Sequence, residues 1–280
     1  KPCKEYILCE KKGICPIKDD LYKTGYALLR EADVIVAATP VFFYNMSAQL
    51  KGLVDRCQVF WARKYVMKVR DPGHKIRRGF LLSVGATKGK QLFDAIELSI
   101  RYFFDAASAE YSGSLLYRGI EKKGDMAERS GIHEEIRQGV EKLLSPLSSR
   151  PRLLFVSKKN ACRSQMAAAF ARSHFGDRLD ALSAGTTPAD KVHPVMVEAM
   201  RELRVDMGFL NPRAIDSVMA EHKPGTVVHM GSDEKYPADA SVKVIDWDIP
   251  DPDGADIAVI RQVRDDIKTK VEDLAKSLGV

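Results

Sequence analysis

A chain of 280 residues with 45% hydrophobic and 29% charged content has enough apolar material for about two domains. No apolar stretch approaches the roughly 20 residues of a membrane span and no secretory signal pattern opens the chain, so no membrane role is expected. The net charge of +6 is spread along both halves, which describes a solvated surface and not a nucleic-acid footprint.

Taken in order, the chain alternates strand and helix signals. Cys3, Cys9 and Cys15 come first; with Cys57 and Cys162 they make five cysteines. An odd number without a signal segment points to free thiols in a reducing cytoplasm. Helical patterns cover 20–31, 47 to about 65 with Ser47 as N-cap, 90–107 and 126–144. Between them, 33–38 and 79–84 are continuous apolar runs that read as buried parallel strands. A Ser/Pro-rich stretch follows, with Ser145-Pro146-Leu147-Ser148-Ser149-Arg150-Pro151 read as the join between domains. This gives a first domain over 1–145, a linker at 146–151 and a second domain over 152–280. In the second, 153–156 and 226–230 are clear strands, with weaker ones near 181–183 and 242–245. Helices are expected near 163–175, 194–203 and 257–278. The alternation predicts two α/β domains with parallel sheets, whose ligands sit beyond the carboxyl ends of the strands.

One such strand end carries the clearest chemistry. The run Leu153–Val156 ends at Ser157 and passes through Lys158, Lys159, Asn160, Ala161 and Cys162 to Arg163 and Ser164, where a helix begins. A loop delivered onto a helix N-terminus makes an anion cradle, because backbone N–H groups and the helix dipole favour negative charge. The Arg163 guanidinium is able to close on two oxygens at once.

This segment resembles the anion loop of low-molecular-weight protein tyrosine phosphatases and of the arsenate reductases built on the same fold. Ser183-Ala184-Gly185-Thr186, His193-Pro194 with Ala199-Met200, and Asp246-Trp247-Asp248-Ile249-Pro250-Asp251-Pro252 extend the likeness. The resemblance implies a nucleophilic cysteine six residues before the arginine; Ser157 stands there. It implies Asp251 as the general acid, with Asp248 as the lesser candidate and Asp246 as a solvated or capping residue. It also implies a resolving cysteine pair in 226–237, a stretch without cysteine. A serine hydroxyl with no adjacent base does not replace a low-pKa thiolate, and Cys162, one residue before the arginine, reads as a packed thiol. The expectation is a pocket that binds phosphate or arsenate without turning it over. Lys158 and Lys159 add charge at its mouth. They also argue for a natural, not an engineered, serine, since the family usually has small or uncharged residues there.

In the first domain, Thr39-Pro40-Val41-Phe42-Phe43-Tyr44-Asn45 and the following Ser47-Ala48-Gln49-Leu50-Lys51 helix resemble the flavin-edge loop of flavodoxin-like NAD(P)H-dependent FMN reductases, a family that includes iron–sulfur flavoproteins. Gly85, Ala86 and Gly89 fit its second flavin-facing loop. The resemblance implies FMN and NAD(P)H as cofactors, and a homo-oligomer formed through this domain is expected. Alone, Phe42-Phe43-Tyr44 also reads as a core cluster. The family's cysteine segment is matched at Cys3, Cys9 and Cys15, with Tyr6 in the remaining place. A four-thiolate cluster would lack a ligand, so no metal is expected. The family's first strand and serine-rich phosphate loop would lie before Lys1, and a fragment is expected. The functional expectation is an FMN-dependent oxidoreductase fused to an oxyanion-binding domain. The alternative is a regulatory or assembly protein that senses phosphate or a phosphoprotein.

Overall fold

Leu153, Leu154, Phe155 and Val156 are apolar without alternation because both faces of their strand are covered. Leu153 and Phe155 enter one cluster with Met166, Phe170, Ile260 and Ile267; Leu154 and Val156 enter another with Ile215, Val218 and Val227. The computed structural model describes residues 1–231 and 241–280. It divides into two units, Lys1–Lys68 with Ile76–Ser148, and Val69–Lys75 with Ser149–Val280.

In the second unit β4 (Arg152–Ser157), β5 (Asp180–Gly185), β6 (Thr226–His229) and β7 (Lys243–Asp246) form a parallel sheet in the order β5-β4-β6-β7. Helices α8 (Arg163–Phe175), α9 (Pro194–Glu202), α10 (Ile215–His222) and α11 (Ile257–Ser277) accompany it. Every residue of α8 from Arg163 to Ala171 is buried. Four small alanines let the sheet strands β4 and β5 and the helix α11 approach it closely.

The first unit contains a three-stranded parallel sheet, ordered β1 (Val34–Pro40), β2 (Arg78–Gly85), β3 (Glu110–Arg118). Its helices are α1 (Leu8–Lys12), α2 (Tyr26–Glu31), α3 (Ala48–Arg56), α4 (Gln58–Trp61), α5 (Asp94–Ala106), α6 (Asp125–Glu128) and α7 (Ile132–Ser148). Ser47 caps α3, its hydroxyl accepting from the Leu50 N–H. Two parallel α/β sheets are thus the architecture, as the sequence predicts.

The details correct the sequence reading in five places. First, β1 is not buried on both faces: Ile35, Ala37 and Thr39 are buried while Val36, Ala38 and Pro40 are exposed. Second, β3 went unread, because Gly113 interrupts its apolar pattern; that glycine sits at φ 130°, where only glycine is at ease. Third, α10 also went unread, since eight residues with two acids and a terminal histidine carry little periodicity. Fourth, the expected linker is helical as far as Ser148, α7 continuing through Pro146 to end two residues later. Fifth, Val69–Lys75, expected in the first domain, belongs to the second unit. Backbone bonds hold it there, from Arg70 N–H to the Arg204 carbonyl (2.7 Å) and from Asp206 N–H to the Arg70 carbonyl (2.9 Å).

Candidate functional sites at two strand ends

The anion loop begins where β4 stops. Ser157 ends the strand and is buried, and six residues later the chain turns into α8. The loop's carbonyls point outward: those of Ser157, Lys158, Lys159 and Ala161 accept from the N–H groups of Thr186, Thr187, Ala189 and His193, at 2.8–3.3 Å. The peptides of the described residues are all trans, so each outward carbonyl sends the next residue's N–H inward. The amides of Lys158, Lys159, Asn160 and Cys162 therefore converge on the loop interior. The N-cap of α8, Cys162, makes no side-chain capping bond, which leaves the helix N-terminus to an anion.

Asn160 fixes this shape. It sits fully buried at φ 46°, a left-handed conformation that asparagine tolerates better than most residues. Its Nδ2 donates to Ser164 Oγ at 2.8 Å, and its Oδ1 accepts from the Arg213 N–H at 2.8 Å and Gln165 Nε2 at 3.1 Å. Gly185 completes the cradle. A Cβ there would lie 2.7 Å from the Lys158 carbonyl oxygen and 2.9 Å from the Asn160 nitrogen, so only glycine admits the loop.

At the floor, Ser157 Oγ is 2.7 Å from Ser164 Oγ. The neighbouring thiol, Cys162, is held protonated. Burial, with Asp251 and Asp253 adding to it and Arg163 opposing, pushes its pKa up to about 12. Arg163 is buried and donates from Nη1 to the carbonyls of Met230 (2.8 Å) and Ile249 (2.9 Å), and from Nη2 to Asp251 Oδ2 (2.9 Å). Lys159 reaches Asp253 Oδ2 at 2.6 Å, while Lys158 is exposed. Ser157, Ala161, Cys162, Arg163, His193 and Asp251 surround a cavity of about 20 Å³.

The structure thus brings together Ser157, Lys159–Arg163 and Asp251. Asp253, not singled out in the sequence, and His193, read there only as part of the family likeness, also line the cavity. Asp253 was legible as a second acid two positions after Asp251. The Nδ1 of His193 is buried without a hydrogen-bond partner, and no sequence signal marks that. Asp246 instead accepts at Oδ1 from Nδ1 of the buried His229 ring, at 2.9 Å. The stretch 226–237, where a resolving pair was sought, lies outside the described residues from 232 onward.

The first unit has its own strand-end site. After β1, Phe42 and Asn45 exchange backbone hydrogen bonds (2.8 and 2.9 Å) around a turn whose central residues, Phe43 and Tyr44, have φ of 48° and 60°. Phe43 is fully exposed, and Phe42 and Tyr44 are more than a third exposed. Thr39 anchors the base: its hydroxyl accepts from the Ser47 N–H at 3.0 Å. The loop after β2 meets this one, since a Cβ on Gly89 would strike the Tyr44 hydroxyl and one on Gly85 would lie 3.1 Å from Val41. Val41 through Tyr44, Gly85 and Gly89 are therefore neighbours, and Ala86 is exposed beside them. Bare rings over a backbone shelf fit one face of a large planar heterocycle.

Cys3, Cys9, Cys15 and Cys57 all line a cavity of about 790 Å³. Yet among the described residues no three histidine, cysteine or acidic side chains are placed to hold a metal ion. Cys57 is fully buried and its thiol is pushed well above its ordinary range, chiefly by desolvation.

Comparison with known proteins separates the two units. Residues 152–280 match the family described as low molecular weight phosphotyrosine protein phosphatase. A putative arsenate reductase of Halobacterium salinarum is 38% identical over 125 residues, which are 43% of this chain and 87% of that protein. The chain belongs to the low-molecular-weight phosphatase and arsenate reductase family. A glutaredoxin arsenate reductase of Synechocystis is 31% identical over 46% of this chain and 98% of its own length. Among solved structures, an arsenate reductase in the phosphate binding state is 30% identical with a TM-score of 0.42, covering 45% of this chain and 98% of that one. To this phosphatase-family domain is fused a second type. Residues 1–91 match the NADPH-dependent FMN reductase family. An iron-sulfur flavoprotein of Archaeoglobus fulgidus is 42% identical over 64 residues, 23% of this chain and 32% of that protein. No helix among the described residues is long and apolar enough to cross a membrane.

Proposed function

We propose that the phosphatase-family domain binds a tetrahedral oxyanion, phosphate or arsenate, and does not turn it over. The observation that carries this reading is the floor of the loop. The group placed to attack is the Ser157 hydroxyl, whose neighbour is another hydroxyl, Ser164 Oγ at 2.7 Å, and not a base. Attack by a hydroxyl requires a base to take its proton. The thiol in the loop, Cys162, stays protonated near neutral pH. Binding needs only inward amides, the α8 N-terminus and Arg163. Arsenate is the oxyanion of the arsenate reductases that this domain is similar to, and phosphate shares its shape and charge. Titration calorimetry on the full chain with both ions, beside an aryl phosphate hydrolysis assay, tests the reading. Binding without hydrolysis is expected, as is gain of hydrolysis in Ser157→Cys. Hydrolysis by the unaltered chain that disappears in Arg163→Ala would overturn it.

We further infer that the first domain is an FMN-dependent oxidoreductase that takes electrons from NAD(P)H. The support is the exposed aromatic turn Phe42-Phe43-Tyr44 against the Gly85–Gly89 loop, with Thr39, Pro40, Val41, Asn45 and Ala86 completing the shelf. Bound flavin supplies the hydride-accepting ring; the chain's part is to stack on it and shield it from water. Adding FMN to the full chain is expected to quench flavin fluorescence, and Phe43→Ala with Tyr44→Ala to abolish the quench. Equal quenching by the double variant would remove this assignment.

A further inference from the structure

The anion site is already occupied by the protein's own carboxylates. Asp251 Oδ2 sits on Arg163 Nη2 at 2.9 Å, and Asp253 Oδ2 sits on Lys159 Nζ at 2.6 Å. The two acids flank Pro252 and are joined to each other, the Asp253 N–H donating to Asp251 Oδ1 at 3.2 Å. One short turn therefore presents two negative charges to two cations of the loop, as a tetrahedral dianion would. The roughly 20 Å³ left between them is about the space of one water molecule. A tetrahedral oxyanion paired with both cations would take the place of the two carboxylates.

Each half of the arrangement has a different character. Arg163 is buried and has two backbone carbonyls besides Asp251, so it stays in place when Asp251 departs. Lys159 and Asp253 are both about half exposed. Lys159 is held above its ordinary pKa by Asp253, and Asp253 below its own by Lys159. The ring of His193, which lines the same cavity, also lowers Asp253. The outer pair is thus a solvent-facing latch over an inner, fixed one.

Resting on the oxyanion-binding reading, we propose that Lys159 is a specificity-determining residue: it and Arg163 exchange Asp253 and Asp251 for one dianionic tetrahedral ligand, so that the site selects dianions over monoanions of the same shape. The exchange conserves charge pairs only for a dianion. A monoanion frees two carboxylates from two cations and replaces just one of them. A loop with a small uncharged residue at 159 would have no such discrimination, because only the Arg163 pair would be exchanged.

Sulfate and perchlorate, tetrahedral ions differing in charge, are the probes. Titration calorimetry at pH 8 on the full chain, Lys159→Gln, Asp253→Asn and the double variant measures the exchange. Sulfate is expected to bind the unaltered chain at least about ten-fold tighter than perchlorate, the worth of one charge-assisted contact. Lys159→Gln is expected to lower sulfate affinity about ten-fold and leave perchlorate within about two-fold. Asp253→Asn should tighten sulfate several-fold, and the double variant should match Lys159→Gln. Equal losses for both ions in Lys159→Gln overturn the proposal. So does a gain from Asp253→Asn that persists without Lys159, which would be a general field effect. If none of the four proteins binds either ion, the oxyanion-binding reading itself fails.

Discussion

The loops after β1 and β4 occupy equivalent places, each at the carboxyl end of a parallel strand, yet they are built in opposite ways. The β4 loop is stiff. Its carbonyls are engaged by residues 186–193, its left-handed residue is an asparagine with three side-chain bonds, and Gly185 makes room behind it. The β1 loop turns on two bulky aromatics in the left-handed region, closed by two backbone bonds and with Phe43 fully exposed. A small ion needs donors fixed before it arrives, whereas a large flat ligand supplies contact area of its own. The second loop therefore keeps strain and bare rings that the first has removed.

Substitutions test that contrast. The largest effect is expected from Gly185→Val, whose Cβ would strike backbone atoms at 2.7 and 2.9 Å. Overpacking of this kind costs about 1–3 kcal/mol, and sulfate binding should vanish with the displaced loop. Thermal unfolding and calorimetry read both, and retention of binding would show the cradle to be soft. Next comes Asn160→Ala. It strands the Arg213 N–H, at about 1–3 kcal/mol for a buried unsatisfied group, and adds the left-handed penalty. Asn160→Gly should recover only the latter part. In the β1 loop the sign reverses: Phe43→Gly relieves about 1–2 kcal/mol of left-handed strain and gives back part through chain entropy. A net stabilisation below about 1 kcal/mol is expected in denaturant melts. Destabilisation there would mean that the turn is not strained.

The smallest response is expected at Cys162. With its pKa at about 12, only about one molecule in ten thousand is thiolate at pH 8, and the thiolate is the reactive form. The sign follows directly, since the thiolate fraction grows as pH rises toward 12. Iodoacetamide mapping by mass spectrometry should label exposed Cys3 within minutes at pH 8 and leave Cys162 unlabelled until pH exceeds about 10. Comparable rates at pH 8 would return Cys162 to the list of nucleophiles.

Much of this was legible in the sequence because it depends on local order. A continuous apolar run followed by a loop and a helix start puts that loop at a strand end, so the elements over residues 153–164 could be read directly. The fold class followed from the same alternation. What stayed hidden depends on distant residues meeting. Asp253 gains its role only because the turn at Pro252 lies over Lys159, 94 positions earlier. Gly185 matters through a carbonyl that another strand's loop presents. The uncovered face of β1 was invisible because Val34–Ala38 is apolar whether or not anything covers it. At 146, proline signals a break, yet α7 runs through it to Ser148.

The complete burial of the first nine residues of α8 has a last consequence. Its alanines are hemmed in by β4, β5 and α11, so the helix has no freedom to roll or slide, and its N-terminus is fixed by packing on every side. The groups that do chemistry contribute little to that packing. Exchange of a sulfur for an oxygen at 157 changes one atom at the end of a strand and leaves the core untouched. On such a scaffold the residue at 157 is free to vary without disturbing the helix behind it.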